Sequence, residues 1–117
     1  MLIGNMGVTY KVVYIREAEK DLINIYRYIA LTLEAAEAAK KQADRIINAI
    51  RSLNKMPLRH KLYQNEPWHS RGLRVLPVDN YLVFYKVVEK EKMVAIVRIM
   101  YGRRNIDWQL AGPKIDD

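Results

Sequence analysis

The sequence predicts an α+β fold: a helical hairpin packed on one face of a mainly antiparallel four-stranded sheet, in the order β-α-α-β-β-β. Three observations predict it. From Leu73 to Tyr101 the chain reads as three consecutive strands with very short connections. Such strands are antiparallel neighbours, because a parallel pair needs a long crossover. From Arg16 onward the apolar residues recur at steps of three and four, the spacing of helices. Before them, Thr9 to Ile15 alternates Tyr10, Val12 and Tyr14 with Lys11, Val13 and Ile15, which makes a first strand.

The elements follow in order. Ala18, Leu22, Ile25, Ile29 and Leu33 lie along one helical face. Glu17, Glu19 and Asp21 fall in the first turns, where carboxylates interact well with the helix dipole. Thr32 is expected to cap a second helix, with Glu34 in its first turn. Ala39, Ala43, Ile46, Ile50 and Leu53 then share a face until Pro57, which cannot continue a helix. Helices over roughly 16–31 and 33–55 have almost no link between them, so they form an antiparallel hairpin. The alanines of the second helix allow close packing.

Residues 56–72 read as a loop containing Pro57, Pro67 and Gly72. The next strand, Leu73–Leu76, is expected to stop at Pro77. Tyr81–Val88 and Met93–Tyr101 are rich in β-branched and aromatic residues, and turns fall at Asp79-Asn80 and Glu89–Lys92. These two strands are too apolar for a sheet with one face in water. The sheet is therefore covered on both faces, or one face is kept for a partner. The expected layout leaves the face opposite the hairpin, the 56–72 loop and the Gly102-Arg103-Arg104 tail for function. The domain runs from 9 to 110, between a leader over 1–8, expected to be disordered, and a tail over 111–117.

Composition narrows the function. A chain of 117 residues fits one domain. No run approaches the roughly 18–20 apolar residues that cross a bilayer, so no membrane partner is expected and the cytoplasm is the expected address. The absence of cysteine excludes disulfides and thiolate metal sites. The net charge is +7. Between Arg51 and Val75 six basic residues face one acid, Glu66, so five of those seven charges fall in one segment. Such a field suits nucleic acid or an acidic protein, and a solvated charged loop explains it equally well.

The usual catalytic sets are missing. Serine occurs only at 52 and 70, outside any nucleophile elbow, and no glycine-rich phosphate loop is present. His60 and His69 stand nine apart without a carboxylate cluster, a poor metal site, so no metal or cofactor is expected. What remains is basic and aromatic: Arg74, Lys86, Arg98, Arg103 and Arg104, interleaved with Trp68, Tyr81, Tyr85 and Tyr101. Such groups hold phosphates and stack on bases. Each also has an ordinary structural role: Arg98 paired with an acid, the tyrosines in the core with their hydroxyls at its edge.

The element order, the opening Tyr10-Lys11-Val12-Val13 with Glu17-Ala18-Glu19-Lys20-Asp21-Leu22, and above all Asp79–Tyr85 followed by Val97-Arg98-Ile99-Met100-Tyr101-Gly102-Arg103-Arg104, resemble the RelE/ParE family of bacterial toxins. The similarity runs from about Thr9 to Leu110. It implies the toxin of a type II toxin–antitoxin pair, neutralised by a small acidic antitoxin. The family holds two activities. RelE-like members cut mRNA on the ribosome, with the 2′-hydroxyl as nucleophile and basic residues handling protons and phosphate charge. ParE-like members poison DNA gyrase. For the RelE-like set, Arg74 stands where lysines are usual, Leu82 where an arginine follows the tyrosine, and Arg104 or Arg103 matches the arginine after the glycine. No tyrosine stands near the C-terminus, where Trp108 takes the stacking position. The expected reading is an mRNA endonuclease with Arg74 and Arg104 catalytic and Lys61, Arg71, Arg103 and Trp108 on the RNA. Gyrase inhibition is the alternative.

Overall fold

The structure is a computed structural model describing residues 7–102 and 106–111. Strand β1 spans Lys11–Tyr14, helix α1 Arg16–Arg27 and helix α2 Ala36–Arg51. Strands β2, β3 and β4 span Arg74–Val78, Tyr81–Val88 and Met93–Tyr101, and a short helix α3 spans Ile106–Ala111. The order β-α-α-β-β-β stands, with α3 added at the end. The sheet order is β1-β4-β3-β2. The pairs β2–β3 and β3–β4 are antiparallel, and β1 runs parallel to the first half of β4.

The hairpin packs on one face. Ala18 of α1 and Ile46 and Ile50 of α2 meet Val83, Tyr85, Val94 and Ile96 from the sheet. The four named sheet residues are fully buried. The turn between β2 and β3 is tied to the same hairpin, since Asp79 accepts hydrogen bonds from Arg45 Nε at 2.7 Å and Gln42 Nε2 at 2.9 Å. Those bonds hold the Asp79 carboxyl below its usual range.

The opposite face is not left open, contrary to the layout expected from sequence. Leu73, Phe84 and Met100 form a second core there, covered by Tyr63 and Trp68 from the loop and Ile106 and Leu110 from α3. A bulge lets β4 serve both faces. Phe84 pairs with Arg98 and Tyr85 with Ile96, so Val97 has no partner. Side-chain alternation therefore reverses: Ile96 and Ile99 both join the hairpin-side core, while Val97 and Met100 join the other. This is why β4 reads as almost continuously apolar.

Three local expectations need correction. Thr32 does not cap the second helix. It ends a π-helical turn, Tyr28–Thr32, and α2 begins after Ala35 with no side-chain cap. Glu34 takes a left-handed φ of 52° between the helices, outside either one. Pro77 does not end β2, which continues to Val78. The strand lies at the sheet edge, where a missing N–H is tolerated.

Candidate functional site

The segment 55–61 leaves the end of α2 and crosses to the edge of β2. It exposes two large apolar side chains, Met56 at 68% and Leu58 at 51%, on either side of the buried Pro57. Lys55, Arg59 and Lys61 are exposed around them, and no acid occurs from Arg51 to Asn65. Met56 sits in the left-handed region at φ 49°, costly for an unbranched non-glycine residue and sustained by its surroundings.

Three hydrogen-bond donors hold that conformation. The Tyr85 hydroxyl, rising from the middle of β3, donates to the Pro57 carbonyl at 2.6 Å. Arg74 Nη1 donates to the His60 carbonyl at 2.7 Å and more weakly to the Leu58 carbonyl at 3.4 Å. Arg59 folds back on its own turn, donating to the carbonyls of Lys55 at 2.6 Å and Met56 at 3.0 Å and to Ser52 Oγ at 3.1 Å. The charged donors of Arg74 and Arg59 make their bonds stronger than neutral ones. His60 lies behind, its ring edge-on to Tyr85 at 6.4 Å between centroids. Its Nε2 is buried without a hydrogen-bond partner among the described residues. Burial first, and then the Arg59 charge, push the His60 pKa below its ordinary value.

The rest of the loop is fastened to the sheet and to α3. Val75 N–H donates to the Lys61 carbonyl at 3.1 Å and Tyr63 N–H to the Leu73 carbonyl at 2.8 Å, covering the outer edge of β2. The Tyr63 hydroxyl and Asn65 Nδ2 both donate to Asp107 of α3, at 2.8 and 3.0 Å. Gly72 closes the loop at φ 82°, a conformation that favours glycine. From the other side, Arg98 Nε and Nη2 grip both oxygens of Asp21 at 2.7 and 3.0 Å, while Nη1 donates to the Gln109 carbonyl at 3.1 Å. Asp21 also accepts from Ile99 N–H at 2.8 Å, satisfying β4 beyond the reach of β1.

The residues singled out from sequence fall as follows. Lys61 is exposed at the β2 edge, and Arg71 stacks over Trp68 at 5.3 Å in the same loop. Trp108 is 60% exposed on α3, which Asp107 joins to that loop. Arg74 flanks Lys61, with its guanidinium donating to loop carbonyls. Arg103 and Arg104 lie outside the described residues. Sequence reasoning passed over Met56 and Leu58, and it expected an acid beside Arg98 without naming Asp21. The first two carried a signal: two apolar residues around a proline, set among cations, in a loop.

A second apolar surface lies on the outside of the hairpin. A groove of about 550 Å³ runs between α1 and α2 beside Ile23, Tyr26 and Leu31, all exposed. Among the described residues no three metal-ligating side chains converge, and no helix is long and apolar enough to cross a membrane.

A helix-backed sheet whose two described strand arginines hold the fold, with exposed apolar and basic side chains over 55–61, defines a small α+β module. The sequence matches the family described as ParE toxin of the type II toxin–antitoxin system, parDE, over residues 12–106, and the chain belongs to that family. No curated protein matches the chain in sequence. Among solved structures, it is similar to one from the chromosomal ParDE toxin–antitoxin system of Pseudomonas aeruginosa: 23% identity, TM-score 0.63, 81% of this chain and 98% of that one. The RelBE2 toxin–antitoxin complex of Mycobacterium tuberculosis shares 21% identity at a TM-score of 0.56, covering 80% of this chain and 99% of that one. A mutant of the Escherichia coli toxin RelE in the free state shares 11% at 0.58, covering 88% and 94%. These likenesses show the RelE/ParE-like fold.

Proposed function

We propose that this chain, the toxin of a type II toxin–antitoxin system, acts by binding its target, with DNA gyrase as the target that the ParE resemblance implies, and does not cut mRNA. One observation carries this reading: both arginines on the described strands are already engaged. Arg74 donates to the His60 carbonyl, and Arg98 holds Asp21 and the Gln109 carbonyl. Arg98, with Nε, Nη1 and Nη2 all engaged, would have to break these bonds to grip a phosphate. Arg74 is held through Nη1, and neither guanidinium readily gives up a proton. The antitoxin partner fits the apolar groove between α1 and α2, which an amphipathic segment would cover.

The exposed cations of the 55–72 loop favour a second reading. In it Arg74 and Arg104 bind the scissile phosphate of mRNA on the ribosome, and Lys61, Arg71, Arg103 and Trp108 supply RNA affinity. Two assays on the purified toxin separate the readings. Arrest of gyrase supercoiling, with no change in the toeprint of a translating message, supports the first. New A-site stops that vanish in Arg74→Ala or Arg104→Ala, with supercoiling untouched, support the second and overturn the first.

A further inference from the structure

We infer that the turn over 55–61 is the target-docking surface of this toxin, and that it takes an acidic protein surface carrying an apolar pocket. The inference rests on the target-binding reading above. Four features carry it. Met56 and Leu58 are exposed, yet they sit on a backbone fixed by Tyr85, Arg74 and Arg59, so presenting them costs little ordering on contact. Their neighbours Lys55, Arg59 and Lys61 are all cationic, and no acid stands among residues 51–65, which selects an acidic partner and speeds its approach. Met56 holds a left-handed backbone where a glycine or asparagine would sit more easily, so the methionine side chain is kept against a conformational cost. Two exposed apolar groups flanked in the same turn by three cations match a protein pocket rimmed by carboxylates better than a phosphate backbone, which offers the apolar groups no partner.

The test uses the full chain and purified DNA gyrase as the probe. Met56→Asn with Leu58→Ser removes the apolar pair with a residue that accepts the left-handed backbone. Lys55→Glu with Lys61→Glu reverses charge at two exposed positions. Circular dichroism and thermal unfolding confirm the fold of each. Both double variants are expected to bind gyrase on the order of tenfold more weakly or worse and to lose supercoiling arrest in proportion. The charge variant alone should also lose the salt dependence of the association rate. Gyrase binding equal to wild type in both variants overturns the inference and leaves the gyrase reading standing. Failure of the wild type to bind gyrase at all overturns both. A parallel arm with duplex DNA completes the test. If the variants lose DNA binding and keep gyrase binding, the surface is a nucleic-acid contact and the inference falls.

Discussion

The two faces of the sheet are covered by different physics. On the hairpin side, Ile46, Ile50, Val83, Val94 and Ile96 are buried to within 1% and interlock without directional bonds. On the other side a loop and a six-residue helix pack on the smaller core of Leu73, Phe84 and Met100 and are also tethered by named donors: Tyr63 and Asn65 on Asp107, Arg74 on the His60 carbonyl, Arg98 on the Gln109 carbonyl. An apolar core tolerates many sequences, whereas a polar tether works at one geometry. The difference teaches where this small toxin invests in stability and where in shape. The hairpin side supports the fold, and the loop side keeps a surface in a set conformation.

Four experiments press on that contrast. The largest effect belongs to the hairpin face: Ile46→Ala, at 0% exposure, should cost about 2–5 kcal/mol in urea unfolding. Next comes the Asp21–Arg98 pair. Arg98→Met should cost on the order of 2 kcal/mol, less than the roughly 3–5 kcal/mol of a fully buried pair, because the partners keep 24% and 13% exposure. Adding Asp21→Leu should restore part of that loss, and a double variant equal to the sum of the singles would deny the coupling. Tyr85→Phe comes third, costing about 1 kcal/mol through the lost bond to Pro57. Its diagnostic is local: amide exchange over 56–60 should quicken while α1 and α2 stay protected, and uniform quickening would show that the turn is not separately held.

The smallest effect is in pH. His60 has its pKa lowered in the folded state by burial and by Arg59. As pH falls below the ordinary histidine value of about 6.5, the unfolded chain takes up this proton and the folded chain resists it. Stability therefore declines on acidification and levels off once the folded ring protonates. His60→Gln should flatten that part of the profile, and an unchanged slope between the two proteins would remove His60 as its source.

Much of this was legible in the sequence, and the rest was hidden for identifiable reasons. The strand block, the hairpin and the end of α2 before Pro57 follow from periodicity and backbone chemistry, which act within a few residues. Thr32 misled because a good capping residue need not be used. The chain instead closes α1 with a π turn and reverses at Glu34. Pro77 misled because its cost depends on which strand is the edge. Arg74 was read as a free cation. Its partners lie 14 and 16 residues back in a loop whose path the sequence does not encode locally.

By itself the sequence determined the two main helices and four strands, their order, the toxin family and the concentration of positive charge before β2, because these depend on local periodicity, residue chemistry and recognisable runs. Tertiary structure alone decided that β1 runs beside β4, that Val97 bulges to turn one strand toward two cores, and that the loop after α2 folds over the sheet with Met56 and Leu58 outward. Those outcomes depend on which distant groups meet, and only the folded chain brings Tyr85 under Pro57 and Arg98 between Asp21 and Gln109.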